Sequence, residues 1–323
     1  MNNFECAKGK RVLLIGGGGT LGTYVSEELL RLGCEVDVIC PEEKISTNAK
    51  LRFIRDYVSE ELLQDLFAKA HYDGIVNFIH SSEVEDFKRS YDLLIKNTDH
   101  LIVLSSYRVY ANEQHPITET APRLHDVYAD EDLLTYDKYG VSKGLCEDFL
   151  TNERKGQSWT IVRPVISFSQ YRLDIVMNSG KEVLEHAQEG KPMLLPLSVK
   201  NYRAGLDWAG NSGKLIANLL FKKNAIGEAF TVYSGHNMTW GEIAEAYTAE
   251  VGVEFKWVSD EEYIETKPAI KTNGNAKWMW KYDRVFNRDI DNSKILAVTG
   301  LKREDFTSVR EGIRIEVDKI NKN

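Results

Sequence analysis

The sequence predicts an α/β protein built on a doubly wound parallel sheet, with a smaller C-terminal lobe. Three observations lead there. Short β-branched apolar runs alternate with helix-period segments through the first half of the chain. A glycine cluster, Gly16-Gly17-Gly18-Gly19-Thr20-Leu21-Gly22, directly follows the first run. At 323 residues the chain is long enough to bury a full core and suits two unequal lobes.

Taken in order, the strands are expected at 11–15, 35–40, 52–55, 74–79, 101–105 and 160–162. Between the first two lies a helix over 21–32, whose Leu21, Val25, Leu29 and Leu32 form one stripe and whose Gly33 suits a C-terminal cap. Parallel strands joined by helices give a Rossmann-like sheet as the economical solution. After Pro164 the alternation becomes irregular. A loop and helix run to about Gly190, an apolar helix covers 208–221, and a strand covers 230–233. An aromatic loop follows at Trp278-Met279-Trp280-Lys281-Tyr282, and the last helix runs over 308–320. We therefore expect a nucleotide-binding domain at 1–165, with segments of about 200–234 returning to it. A substrate-binding lobe is expected from 166–199 and 235–323.

Composition narrows the function. The net charge is −8 and the basic residues are scattered, so no phosphate-tracking surface for nucleic acid is expected. No apolar run approaches the ~20 residues that span a bilayer. The segment from Met1 to Lys10 is polar without a signal-peptide core, and a cytoplasmic location is the expectation. Cys6, Cys34, Cys40 and Cys146 match neither a metal site nor a disulfide framework, so reduced thiols and no metal are expected.

The glycine cluster sits where a strand turns into a helix, and there a pyrophosphate can lie against unpaired backbone amides at the positive end of the helix dipole. Gly16, Gly19 and Gly22, with Thr20 and Leu21 among them, are the expected cradle. An acidic side chain at the end of the second strand commonly holds the adenosine ribose. Glu42 and Glu43 stand there, which favours NAD over NADP, although Lys44 is adjacent.

Tyr139 and Lys143, four residues apart, are expected to share one helix face. Lowering a phenol from pH 10 to near 7 takes ~3 units, or about 4 kcal/mol. One cation at ~5 Å contributes roughly 3 kcal/mol at an effective dielectric of 20. Ser106 follows the fifth strand at the sheet's carboxyl edge, where its hydroxyl is placed to bind the oxygen whose proton Tyr139 moves.

In combination these residues resemble the extended short-chain dehydrogenase/reductases, the NAD-dependent epimerase/dehydratase family that acts mainly on nucleotide sugars. The likeness also takes in Asp56, the Ser106–Tyr110 segment, Pro116-Ile117-Thr118-Glu119, Arg163-Pro164, Asp207-Trp208-Ala209 and the stretch from Asp291 to Ile295. It implies that Tyr139 is the general base or acid, that Lys143 holds the nicotinamide ribose and lowers the tyrosine pKa, and that Ser106 orients the reacting hydroxyl. Asp56 and Tyr57 would meet the adenine, while Phe78, Ile79, His80, Ser105 and Pro164 would line the cofactor. His80, Ser106, Tyr107, Lys200 and Arg203 would meet the substrate, a sugar or nucleotide sugar.

Three positions depart from the family pattern. Where its dehydratases carry an Asp-Glu pair, this chain has Tyr107 and Arg108, which favours an epimerase or reductase. The segment from Ser81 to His100 is shorter than the usual two helices, so the familiar dimer is not expected, though an oligomer stays open. Lys200 stands where a phosphate-binding arginine is usual, with Arg203 nearby. Trp278 and Trp280 suit core packing better than stacking on a base. The alternatives kept open are an NAD(P)-dependent reductase or dehydrogenase of a small carbonyl or sugar, and a non-catalytic relative that senses nucleotide or binds RNA.

Overall fold

A computed structural model describes residues 3–272 and 274–322. Its strands are β1 Arg11–Ile15, β2 Glu35–Cys40, β3 Leu51–Arg55, β4 Tyr72–Asn77, β5 Thr98–Leu104, β6 Trp159–Pro164, β7 Ile166–Phe168, β8 Met193–Pro196, β9 Leu206–Trp208, β10 Glu228–Val232 and β11 Phe255–Val258. Seven of them form one parallel sheet in the order β10-β6-β5-β4-β1-β2-β3. The chain winds outward from β1 in both directions, so the crevice between the carboxyl ends of β1 and β4 is the topological switch point, where such sheets bind ligands.

The α-helices, in chain order, are α1 Asn3–Ala7, α2 Thr20–Arg31, α3 Glu60–Lys69, α4 Val84–Ile95, α5 Leu124–Val127, α6 Glu131–Tyr136, α7 Gly140–Glu153, α8 Gly180–Glu189, α9 Ala209–Leu219, α10 Trp240–Val251, α11 Asp260–Glu265, α12 Asn275–Met279, α13 Ser293–Thr299 and α14 Val309–Ile320. The sheet is covered on both faces, which is why Val12 to Ile15 are all buried instead of alternating. One face packs Val25 and Leu29 of α2 with Leu215, Ile216 and Leu219 of α9. The opposite face packs Leu63, Phe87, Tyr91, Phe149 and Leu150 from α3, α4 and α7. Helices α2 and α9 approach closely because Gly213 has no side chain; a Cβ there would lie 2.6 Å from the backbone of Tyr24.

The C-terminal half builds a separate core around Phe168, Ile243, Tyr247 and Ile313, flanked by the two-stranded pairs β7-β9 and β8-β11. Buried Asp207 joins this half to the sheet. Its carboxylate accepts from Asn211 in α9 and from the backbone N–H of Ser234, just past β10, each at 2.8 Å.

Two local expectations need correction. The predicted fourth strand stops at Asn77, so Phe78, Ile79 and His80 lie beyond its carboxyl end in the loop facing the crevice side. The aromatic stretch is helical: α12 continues into a wide turn over Trp280–Arg284, where Tyr282 leaves helical dihedrals. Trp278 is fully buried against Leu124, Leu133, Val141, Tyr282 and Phe286, which makes it core.

Candidate active site

The turn from β1 to α2 explains its glycines. Gly16 has φ +71°, a conformation that costs an L side chain energy and glycine almost none. A Cβ on Gly17 would sit 2.8 Å from that of Leu14, and one on Gly22 would run into the Gly17 backbone. Gly19 differs, because a Cβ on it meets nothing within 4 Å. Gly19 opens α2 with no side-chain cap, and the first bond into the helix runs from Thr23 N–H to the Gly19 carbonyl at 3.1 Å. The amides of Thr20, Leu21 and Gly22 therefore begin the helix without intrahelical acceptors, a cradle for an anion.

This loop forms one wall of a crevice of about 390 Å³, whose lining also includes Phe78, Ser105, Ser106, Tyr107, Arg108, Tyr139, Pro164, Arg172, Asn275 and Arg284. Ser105 Oγ is buried there with no hydrogen-bond partner among the described residues. The open face of Gly19, the amides opening α2 without intrahelical acceptors and the orphaned Ser105 hydroxyl fit a dinucleotide laid along the crevice. The hydroxyl of Thr20, in this lining, is 3.0 Å from that of buried Ser169. Lys44 donates to the Gly18 carbonyl, with its ammonium 5.5 Å from the Tyr171 ring. Glu42 lies against the same glycine turn: its Oε2 is 2.7 Å from where a Cβ on Gly18 would be.

Ser106 and Tyr139 come from distant segments to the same crevice. Ser106 follows β5 and caps a short turn by accepting from Arg108 N–H at 3.2 Å. Tyr139 stands one residue before α7, at φ −127° and ψ −74°, outside helical dihedrals. Its phenol ring is flanked by the His80 ring at 5.0 Å and the Arg108 guanidinium at 4.8 Å. Asp137 fixes this corner, its carboxylate accepting from the backbone N–H groups of Tyr139 and Val141, each at 3.1 Å.

Lys143 goes elsewhere. Its ammonium donates to the Leu104 carbonyl and lines a small hollow with Ile79, Ser81 and Glu147 behind the crevice. Burial pushes its pKa down to about 8, while Cys146 and Glu147 act in the opposite direction. Tyr139 is the N-cap of α7: its own dihedrals are outside the helical range, while its carbonyl accepts from Lys143 N–H at 2.9 Å. In this structure the cation facing the phenol ring is Arg108.

The remaining expected residues divide in the same way. His80 donates from Nε2 to the Lys138 carbonyl at 2.7 Å. Burial, with Lys143 nearby, lowers its pKa and favours the neutral ring. Ile79 stands over the glycine turn, against Gly16. Asp56 is exposed and accepts from Tyr57 N–H at 2.8 Å, and Tyr57 is exposed. Lys200 lies over Trp257, its ammonium 5.4 Å from the ring, and Arg203 donates to the Asn237 carbonyl at 2.5 Å. Neither lines the crevice, since each already has a partner outside it.

Sequence reasoning missed Arg172, Asn275 and Arg284, and treated Arg108 only as a departure. Arg108 carried a signal, since it takes the place of a dehydratase carboxylate. The other three reach the crevice through tertiary packing of the C-terminal half, for which no local pattern exists.

Among the described residues no helix is long and apolar enough to cross a membrane, and no group of three or more His, Cys, Asp or Glu side chains is placed to hold a metal. No family model matches the sequence, and no curated protein matches it. Solved structures do match over nearly the whole chain. An epimerase of Methanothermobacter thermautotrophicus shares 16% identity at a TM-score of 0.70, covering 99% of this chain and 95% of its own. UDP-glucose 4-epimerase of Thermus thermophilus, solved with NAD, shares 18% at 0.64, covering 96% and 99%. UDP-glucuronic acid 4-epimerase of Bacillus cereus, solved with UDP-glucuronic acid and NAD, shares 16% at 0.66, covering 97% and 99%. The chain has the fold of these epimerases, the same kind of protein that its sequence motifs resemble.

Proposed function

We propose that this protein is an NAD-dependent, epimerase-type oxidoreductase acting on a sugar or nucleotide sugar. The observation that carries the reading is that one crevice holds the glycine turn at one end and the hydroxyls of Ser106 and Tyr139 farther along. Nucleotide sugars and NAD are also what the UDP-glucuronic acid 4-epimerase of the same fold was solved with.

The amides opening α2 would hold the diphosphate, Glu42 the adenosine ribose, and Ser105 and Phe78 the nicotinamide end. A bound nicotinamide supplies the hydride acceptor and donor. Tyr139 takes the proton from the substrate hydroxyl at its phenolic oxygen and returns it when the ring hydroxyl is re-formed. Ser106 holds that hydroxyl by a hydrogen bond, and the Arg108 guanidinium, 4.8 Å from the phenol ring, helps to fix the ring's place in the crevice. Tyr107 and Arg108 supply no carboxylate for elimination, which favours epimerisation over dehydration. Glu42 beside Gly18 favours NAD over NADP, since a carboxylate there repels a 2′-phosphate.

The test is to incubate the purified protein with NAD and a panel of nucleotide sugars and follow the sugar stereocentres by proton NMR. Conversion of one sugar to its epimer, lost in Tyr139→Phe while NAD still binds, is the expected result. Turnover that persists in Tyr139→Phe would remove the assigned role. Net accumulation of reduced nicotinamide would turn the reading toward a reductase or dehydrogenase.

A further inference from the structure

The substrate end of the crevice has an unusual charge balance. Arg108, Arg172 and Arg284 line it, and among the described residues no carboxylate does. Arg172 is half exposed and paired with Asp174 at 2.7 Å. Arg284 is buried and engaged, donating to the Val176 carbonyl at 2.8 Å, to Tyr107 Oη at 2.9 Å and to Asp283. Arg108 is not engaged in this way.

The Arg108 side chain is 9% exposed, yet among the described residues its guanidinium makes one hydrogen bond, from Nη1 to Asn275 Oδ1 at 3.1 Å. Its Nε is buried with no hydrogen-bond partner. The carboxylates of Asp137 and Asp283 stand off at 4.0 and 3.8 Å, too far for a hydrogen bond. Both are committed elsewhere, Asp137 to the start of α7 and Asp283 to Arg284 and Arg288. Arg108, Arg284 and Arg288 face the two carboxylates of Asp137 and Asp283, while Arg172 and Asp174 balance each other, so one positive charge is left over. A buried cation with unused donors is costly unless something completes its shell.

We propose that the completing group is a carboxylate carried by the substrate sugar, held by Arg108 beside the reacting hydroxyl. The proposal rests on the nucleotide-sugar reading above and narrows it to acidic sugars. Position favours a ring carboxylate over the diphosphate. Arg108 lies against Tyr139 and two residues from Ser106, so it meets the reacting part of the sugar. A guanidinium is a planar fork that matches a carboxylate with two parallel hydrogen bonds. Asn275, on α12, steadies that fork from the other wall of the crevice.

The test is calorimetric titration of the NAD-supplemented protein with UDP-glucuronic acid and with UDP-glucose, which differ in carrying a carboxylate or a hydroxymethyl group on the ring. The acidic ligand is expected to bind about tenfold more tightly or better. Arg108→Gln should erase that preference and change UDP-glucose affinity by less than about threefold. Arg108→Lys should restore part of it, since it keeps the charge and loses the fork. If Arg108→Gln does not fold, as thermal melting will show, Asn275→Ala at an exposed position carries the test, with severalfold weaker binding of the acidic ligand only. Equal affinity for the two ligands overturns the proposal and leaves the nucleotide-sugar reading standing. So does equal weakening of both in Arg108→Gln, which would place the diphosphate on this arginine. Failure of both ligands to bind removes the nucleotide-sugar reading, and this proposal with it.

Discussion

Ser106 and Tyr139 were legible in the sequence because each sits at a place the fold makes special, the end of a central strand and the start of the helix that leads into the next one. Lys143 shows where that legibility stops. Its spacing from Tyr139 predicts a shared face, but spacing does not reveal that Tyr139 caps the helix with non-helical dihedrals or that the ammonium donates to the Leu104 carbonyl. Lys200 and Arg203 lie outside the crevice lining, against Trp257 and the Asn237 carbonyl, since a long basic side chain goes to the nearest partner and sequence does not reveal which partner that is. Tyr139→Phe removes one oxygen at a half-buried position. It should leave the melting temperature nearly unchanged and cut turnover by at least about 10²-fold, measured as kcat once the substrate is in hand. His100 gives a prediction about stability. It is buried, with Nε2 2.8 Å from Thr160 Oγ1 and Nδ1 accepting from Phe221 N–H at 2.9 Å. Protonating Nδ1 would set two N–H groups against each other, and burial pushes the pKa from 6.5 down to about 4. Between those values the unfolded chain binds more protons, so stability rises with pH through this window and is lost as pH falls from 6.5 toward 4. The loss should reach about 3 kcal/mol. Denaturant unfolding at neutral and acid pH checks it, and His100→Gln should flatten the dependence in this window.

The glycine turn is the element whose sequence and structure agree most fully, because its requirements are steric and local. They differ from one glycine to the next. Gly22 packs against the Gly17 backbone, so Gly22→Ala must push the helix off the turn and should lower the melting temperature by several degrees, consistent with overpacking costs of about 1–3 kcal/mol. Gly19 faces open space at an ordinary φ of −89°. Gly19→Ala should cost less than about 1 kcal/mol of stability, while its methyl group intrudes where the dinucleotide is to lie. NAD titration alongside thermal melting separates the two: Gly19→Ala should weaken NAD binding about tenfold or more with little change in melting. Equal NAD affinity in Gly19→Ala and wild type would place the cofactor elsewhere. The seven strands of the large sheet were legible as short apolar runs, and β1 and β2 begin and end where the sequence predicts, whereas the short β7, β8, β9 and β11 of the C-terminal half were not read. Trp278 to Tyr282 was not, because aromatic residues suit strand, loop and buried helix alike, and what decides among them is the pocket formed by Leu124, Leu133 and Val141.

At the scale of the molecule, the order of the sheet puts the switch point beside the glycine turn, and the C-terminal half closes the other side of the crevice with Arg172, Asn275 and Arg284. The doubly wound sheet followed from the alternation of strands and helices. The closing side did not, since its residues are brought in by contacts between segments far apart in the chain. The central claim is that this crevice holds NAD and uses Tyr139 for proton transfer during oxidation and reduction of a sugar. The most direct measurement is stopped-flow mixing of the NAD-loaded protein with the nucleotide sugar it converts, following the near-ultraviolet absorbance of reduced nicotinamide. The account predicts a transient rise in the wild type and none in Tyr139→Phe, which still binds NAD; no NAD binding by the wild type, or the same transient in the variant, would contradict it.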